Sequence, residues 1–255
     1  MTFWKGVPSG TPFRIPVRGL RIRADCPTIP LFNGGRFMTI ELDFAALKAK
    51  ARRVRDGHPE NLRLRVHRAL SWLARAEKEE DDPDARFIFA WIGFNALYAE
   101  FEPEPARERA RFEEFFGRIA ALDDSRRIYD AIWLRFPHEV RLLLENQYVF
   151  KPFWNHANGV PGFADWPERL RRDRRGAHEA IRALDTPAIL RRLFGRLYVL
   201  RNQLVHGGAT WNGSVNRRQV ADGARILMVL LPLFIDVMMD HPDEDWGRPF
   251  YPVVD

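Results

Sequence analysis

The stretch "DPDARFIFAWIGFNALYAEF", residues 82–101, is the part of the chain that decides the fold class. Asp82 is a good helix N-cap, and Pro83 suits the first helical position because no amide donor is needed there. From Phe87 to Phe101 apolar side chains occupy nearly every side of that helix. A helix that is apolar all round has to be enclosed by other elements. The stretch therefore predicts a central helix wrapped by a helical bundle.

The sequence on either side is also helical in pattern. Apolar residues recur every three or four positions, which is the period of an amphipathic helix. The segments with this pattern are 42–56, 60–80, 105–124, 130–150, 167–184, 186–206 and 216–239. Pro137 predicts a break, and Thr186 and Pro187 are expected as the N-cap and first residue of their helix. No strand or internal repeat is evident, so we predict an all-α domain over residues 41–240.

Three segments are expected to be irregular. Residues 1–40 contain five prolines and the arginines Arg14, Arg18, Arg21 and Arg23, which indicates a basic, loop-like arm. This arm either follows a nucleic-acid backbone or is not native coding sequence, with Met38 as an alternative start. Residues 151–167 are predicted to form a long aromatic loop over the bundle. Residues 241–255 are predicted to form an irregular tail.

The charge balance allows a polyanionic partner. Lys and Arg total 40 against 34 for Asp and Glu, which gives a net charge of +6, and only five of the 40 cations are lysine. Guanidinium groups bind phosphate bidentately, so the surplus favours RNA or DNA; a GC-rich genome produces the same bias. The single cysteine, Cys26, excludes an internal disulfide and a cysteine-based zinc cluster, and it is typical of a reducing cytosol.

The sequence predicts a cytoplasmic protein with no membrane contact. The most apolar run, Ile226 to Met239, contains Pro232 and Asp236 and is shorter than the roughly 20 residues that cross a bilayer. The first ten residues lack the apolar core of a secretory signal.

The segment "RNQLVHGG", residues 201–208, holds the candidate site. Each helical residue turns by about 100°, which places four leucines on one core face: Leu193, Leu197, Leu200 and Leu204. The opposite face carries Gly195, Val199, Asn202 and His206. Asn202 and His206 lie one turn apart, and the long side chain of Arg201 can reach over them. Small residues on an outward face allow a second copy to approach, so we expect a homodimer.

The same segment also has an ordinary structural interpretation. A histidine in the last turn interacts favourably with the negative end of the helix dipole, and a glycine after it ends the helix in a left-handed conformation. The segment is therefore either a helix terminator alone or a terminator that also carries a site.

Arg201 to His206 resembles the R-x4–6-H signature of HEPN domains, in which a polar residue, here Asn202, typically follows the arginine. The aromatic segment "FIFAWIGFNALYAEF" is similar to an asparagine-containing helix of the Apea-like HEPN group. The resemblance covers roughly Leu42 to Met239. It implies a HEPN-like bundle that acts as a dimeric, metal-independent endoribonuclease, commonly in toxin–antitoxin or antiviral defence systems with a matching partner. The alternative is a non-catalytic HEPN-like module that binds RNA, a nucleotide or a protein.

The residues suit the chemistry that this resemblance implies. RNA carries its own nucleophile, the 2′-hydroxyl, so the enzyme supplies mainly proton transfer and a cation. His206 is expected to transfer the proton, Arg201 to bind the phosphate, and Asn202 to orient one of them. Tyr198, one turn before Asn202, is expected to line the cleft or to stack on a base.

A strongly basic helix precedes this segment. Four of its arginines are expected to contact phosphates or, alternatively, to be a solvated surface: Arg171, Arg172, Arg174 and Arg175. The other histidines show no HxxxH or HExxH spacing, so no metal site is expected, and the absence of P-loop and GxGxxG patterns predicts no nucleotide cofactor. Asn95 is expected to be a buried polar group.

Overall fold

A computed structural model of the chain describes residues 42–100, 105–214, 216–251 and 253. The predictions for the arm 1–40, including Met38 as a start, lie outside these residues. Within them the chain forms ten α-helices and no strand, which confirms the all-α fold class.

The first five helices are α1 (Phe44–Val54), α2 (Glu60–Glu77), α3 (Pro83–Tyr98), α4 (Pro105–Ala121) and α5 (Arg127–Asp130). A π-helical turn, Ala131–Arg135, connects α5 to the next helix. The other five are α6 (Pro137–Glu145), α7 (Lys151–Ala157), α8 (Trp166–Ala183), α9 (Thr186–Val205) and α10 (Arg217–Asp240).

The helix α3 is the centre of the bundle, as predicted. It packs mainly against α2 and α10, and also against α4 and α9. Five of its apolar side chains are fully or almost fully buried: Phe87, Ala90, Trp91, Phe94 and Leu97. Asp82 is its N-cap and accepts hydrogen bonds from the amides of Asp84 and Ala85, both at 3.0 Å, and Pro83 is its first residue. The ring of Phe94 packs 4.4 Å from that of Phe194, so α3 and α9 share one aromatic core.

The helix α10 contains the most apolar run of the chain. Its residues from Ile226 to Met239 are buried except for Met228 and Val229, which are half-buried. This confirms a buried core helix. Among the described helices, none combines the length and apolar character that crossing a bilayer requires.

Arg65 of α2 connects three parts of the fold. Its side chain is completely buried and donates hydrogen bonds to five backbone carbonyls. The acceptors are those of Ala96 (3.3 Å), Leu97 (2.8 Å), Ala99 (3.1 Å), Gly247 (3.4 Å) and Arg248 (3.1 Å). Burial lowers the pKa of Arg65 to about 10, which leaves it protonated at neutral pH. One guanidinium therefore caps the C-terminus of α3 and holds the tail that follows α10.

Two local predictions are wrong. The N-cap of α9 is Asp185, whose carboxylate accepts from the amide of Ala188 at 2.9 Å. Thr186 is inside the helix and buried, because its hydroxyl accepts a hydrogen bond from the indole of Trp133 at 3.0 Å. The segment predicted as one long loop contains α7, whose Phe153 ring packs against Tyr148 and Trp166.

Other local predictions are confirmed. Pro137 begins α6 and so marks the predicted break. The described part of the tail from residue 241 onward contains neither helix nor strand. It is nevertheless attached, because Trp246 is 7% exposed and packs against Phe115.

Removing the Arg65 side chain leaves five buried or half-buried carbonyls without their donor. We expect Arg65→Ala to lower the free energy of unfolding by about 3 kcal/mol or more. Arg63→Ala, an exposed arginine on the same helix, is the matched control and is expected to change it by less than about 0.5 kcal/mol. Urea denaturation of both variants is the measurement, and equal midpoints would contradict the role given to Arg65.

Gly223 of α10 allows close contact with α3 and α9. A Cβ at this position would lie 2.9 Å from Cε2 of Phe87 and 3.0 Å from Cδ2 of Leu197. We expect Gly223→Ala to destabilise the fold by about 1–3 kcal/mol through overpacking. At Gly117 of α4 no such atom lies within 4 Å, so Gly117→Ala is expected to stabilise the fold by up to about 1 kcal/mol. Thermal unfolding distinguishes the two, and a stabilising Gly223→Ala would show that the helices do not meet there.

Candidate functional site

The RNxxxH motif, Arg201 to His206, lies in the last two turns of α9. The leucine face is confirmed on the opposite side: Leu193, Leu197 and Leu200 are fully buried, and Leu204 is half-buried. The motif is therefore placed by a helix whose other side is locked into the core.

The predicted outward face is only partly correct. Gly195 and His206 are exposed and Asn202 is half-buried, but Val199 is only 6% exposed. Val199 is covered because a short 3-10 turn, Gln147–Val149, packs against this side of α9. Gln203, one turn after Val199, donates a hydrogen bond to the Tyr148 carbonyl at 2.7 Å and holds that turn in place.

The exposed side of α9 differs from the predicted one and includes Tyr198, which contacts α3. Tyr198 is 41% exposed and Val205 is 50% exposed. We call the following residues the exposed band of α9: Gly195, Tyr198, Asn202, Val205 and His206. Tyr198 is thus accessible, as the prediction of a cleft residue requires, and its ring rests against that of Trp91 at 6.2 Å.

Arg201 and Asn202 are joined directly. The Arg201 Nη1 donates a hydrogen bond to the Oδ1 of Asn202 at 2.9 Å. In the described part of the chain, no carboxylate lies within ion-pair distance of this guanidinium. The Asn202 side chain thus holds one edge of the Arg201 guanidinium without neutralising its positive charge. Such a cation suits the binding of an anion such as a phosphate.

His206 ends the helix through its backbone and leaves its ring exposed. Its amide donates to the Asn202 carbonyl at 3.0 Å, and Gly207 follows with φ of +70°. The amides of Gly207 and Gly208 then bond back to the carbonyls of Leu204 (3.4 Å) and Gln203 (2.7 Å), as in a Schellman motif. The predicted helix terminator is therefore confirmed.

The terminator makes no use of the imidazole. Among the described residues no hydrogen bond reaches the His206 ring, including from Asn202 one turn before it. The His206 ring is therefore exposed and free of hydrogen bonds within the described part of the chain.

The loop after the motif is attached to the start of α3. Asp84, which is 9% exposed, accepts from the amide of Asn212 at 3.0 Å and from Nη1 of Arg217 at 2.8 Å. The second guanidinium nitrogen of Arg217 lies 2.8 Å from the other oxygen of Asp84. One buried carboxylate thus holds the middle of the loop and the first residue of α10.

Trp211, in the same loop, is the residue that the sequence analysis missed. Its indole Nε1 donates to Oδ2 of Asp82 at 2.8 Å, while the residue is 74% exposed. Burial opposes the shift, but hydrogen bonds from the amide of Ala85, the Trp211 indole and the amide of Asp84 lower the pKa of Asp82. The sequence feature that could have identified Trp211 is a tryptophan in the turn "GATWNG", residues 208–213, just after the motif.

The four arginines predicted on the basic helix have different roles. The Arg174 guanidinium donates to the Glu145 carbonyl and so connects α8 to α6, and Arg171 pairs with Glu168 on its own helix. Arg172 and Arg175 are exposed and have no partner among the described residues. Only these two remain available as phosphate contacts without breaking an existing interaction.

Other polar groups do not add to the site. Asn95 of α3 is half-buried, so the expectation of a buried amide is not met in full. In the described ranges no group of three or more His, Cys, Asp or Glu side chains is arranged to hold a metal ion.

Comparison of the chain with protein-family models, with curated proteins and with solved structures finds no match in any of the three.

The loop that follows the motif depends on Asp84. Asp84→Ala removes the acceptor of the Asn212 amide and the ion pair of Arg217, so we expect a loss of about 2 kcal/mol of stability. Hydrogen exchange of the amides from residue 209 to 214 is expected to rise. Asp81→Ala, an exposed acid in the preceding turn, should change neither quantity. Unchanged exchange in Asp84→Ala would mean that other contacts hold the loop.

Proposed function

We propose that this chain is a metal-independent endoribonuclease of the HEPN type, with Arg201, Asn202 and His206 as its reacting cluster. The observation that carries the proposal is the Arg201 guanidinium, which is bonded to Asn202 at 2.9 Å and unpaired with any described carboxylate. The exposed imidazole of His206 follows within the last turn of the same helix. A cation that can bind a phosphate and a group that can transfer a proton thus lie five residues apart at the end of one helix.

These groups match what RNA cleavage requires. The 2′-oxygen attacks the adjacent phosphorus and the bond to the 5′-oxygen breaks, which leaves a 2′,3′-cyclic phosphate and a 5′-hydroxyl. His206 accepts the 2′-hydroxyl proton or donates one to the leaving oxygen, since an imidazole can serve as base or acid in neutral solution. Arg201 stabilises the charge that develops on the phosphoryl oxygens, and Asn202 orients it.

A second copy would complete the site. The motif of one chain contains one imidazole, that of His206. The reaction needs both a base for the nucleophile and an acid for the leaving group. Gly195 supports close approach of a second helix, because a Cβ there would meet no atom within 4 Å. We therefore propose a homodimer with a composite site that contains both copies of His206.

The cellular role follows from the resemblance. An enzyme of this kind would act as a toxin or antiviral effector, with RNA as substrate and an antitoxin or defence protein as partner. Tyr198 of the exposed band and the unpaired Arg172 and Arg175 would add contacts to the RNA beyond the reacting phosphate.

One observation favours a second candidate, a non-catalytic module that binds RNA, a nucleotide or a protein. The His206 ring is not hydrogen-bonded to Asn202 or Arg201 within the described chain. In this case the motif would serve folding or dimerisation alone, and the next two measurements separate the candidates.

Cleavage of mixed RNA in the presence of EDTA tests the reacting cluster. We expect His206→Ala and Arg201→Ala to lower the rate by about a hundredfold or more, because each removes a group that acts in the transition state. His178→Ala, which removes a half-exposed histidine on α8, is the control and should cleave normally. The products should carry 2′,3′-cyclic phosphates. Full activity in His206→Ala would refute the assigned role.

Light scattering of the purified protein tests the composite site. We expect twice the monomer mass, and we expect a bulky residue in Gly195→Trp to reduce both dimerisation and cleavage because it obstructs the approaching helix. Gly117→Trp, which also alters an open helical glycine, controls for the added ring. A monomer that cleaves RNA at the wild-type rate would rule out a site shared between chains.

A further inference from the structure

Trp211 is more accessible than any other tryptophan that the structure describes. The other six described tryptophans are buried or half-buried, whereas Trp211 is 74% exposed. A large aromatic face in water is unfavourable unless something covers it. The face of this ring is therefore available for a ligand to cover.

The ring is held at its edge. Its Nε1 donates to Asp82 at 2.8 Å, and the next amide, that of Asn212, donates to Asp84 at 3.0 Å. The turn itself is closed by a hydrogen bond from the Gly213 amide to the Thr210 carbonyl at 3.0 Å. The indole is thus oriented before any ligand arrives, which reduces the entropy that binding would lose.

The backbone of Trp211 follows the RNxxxH motif after a short stretch of chain. The Ala209 amide bonds to the Gln203 carbonyl at 3.2 Å, so the loop folds back on the last turn of α9. At most about 7 Å of chain separates Ala209 from Trp211. The backbone of Trp211 is therefore held near the end of α9, while its indole extends to Asp82.

A second aromatic, Tyr198 of α9, is also exposed. Tyr198 rests against Trp91, and Trp211 bonds to Asp82, so both contact α3. Trp91 and Asp82 are nine residues apart, or roughly 13 Å along the helix axis. Trp211 and Tyr198 are thus two exposed rings that contact different parts of α3.

The surroundings of Trp211 favour a nucleobase over a protein partner. Its neighbours Thr210 and Asn212 are polar and exposed, whereas the core of a protein interface is apolar. Stacking requires only a flat face, and bases offer their faces in single strands but not inside a duplex. We propose that Trp211 stacks an unpaired base of the RNA strand whose phosphate lies at Arg201, which makes single-stranded RNA the preferred ligand. The position of the phosphate rests on the proposed function.

Binding of a non-cleavable strand tests this assignment. The probe is a fluorescent, mixed-sequence 2′-O-methyl oligoribonucleotide, free or annealed to its complement, followed by anisotropy. We expect Trp211→Ala to weaken binding of the single strand by about tenfold and to leave duplex binding nearly unchanged. Trp211→Phe keeps a stacking face and should restore most of the affinity. Tyr251→Ala removes another exposed aromatic, 73% accessible, and should bind as wild type does.

The outcomes separate this proposal from the nuclease. Equal single-strand binding by Trp211→Ala and wild type would overturn it. So would a change of oligomeric state without a change in binding, since that would assign the ring to a protein interface. If His206→Ala still cleaves RNA while Trp211→Ala loses single-strand affinity, the stacking role stands and the catalytic role of His206 falls.

Discussion

The buried guanidinium of Arg65 is the interaction on which the rest of the structure depends. A charge in the core is unfavourable unless its donors are satisfied, and here backbone carbonyls from the end of α3 and from the tail accept them. The end of α3 is thereby fixed to α2, while Asp82 and Asp84 fix its start. Because α9 packs on α3 through Phe94 and Phe194, the position of the RNxxxH motif follows from a central helix that is held at both ends.

The sequence was sufficient for the features that depend on local pattern. The N-cap of α3, the leucine face of α9 and the helix end at Gly207 each follow from residues within a few positions of one another. The errors arose where distant residues decide. The N-cap of α9 is Asp185 and not Thr186, because the Thr186 hydroxyl is bonded to Trp133, which is distant in the chain. Val199 is covered by a turn some fifty residues earlier, which a helical wheel does not contain.

The candidate site divides in the same way. The sequence predicted that the long Arg201 side chain could reach over its neighbours, and it does bond to Asn202. It also allowed a contact between Asn202 and His206, and no hydrogen bond joins these two among the described residues. Spacing could not show that the arginine lacks a described carboxylate, nor that the arginines of α8 differ in their partners. Trp211 was missed because its orientation depends on a hydrogen bond to Asp82. The sequence already explained Asp82 as the N-cap of α3, so it gave no reason to look for a second partner of that residue.

Asp82 has two functions, and they are coupled. Its carboxylate caps α3 through Oδ1 and binds the indole of Trp211 through Oδ2, so the first turn of the central helix and the loop after the motif share one carboxylate. The indole bond helps to hold the capping side chain in place, and fraying of the helix releases the acceptor of the ring. The two segments therefore belong to one cooperative unit of local unfolding. A ligand that binds to the loop stabilises the start of the central helix by linkage, so occupancy of this surface registers in the stability of the whole domain.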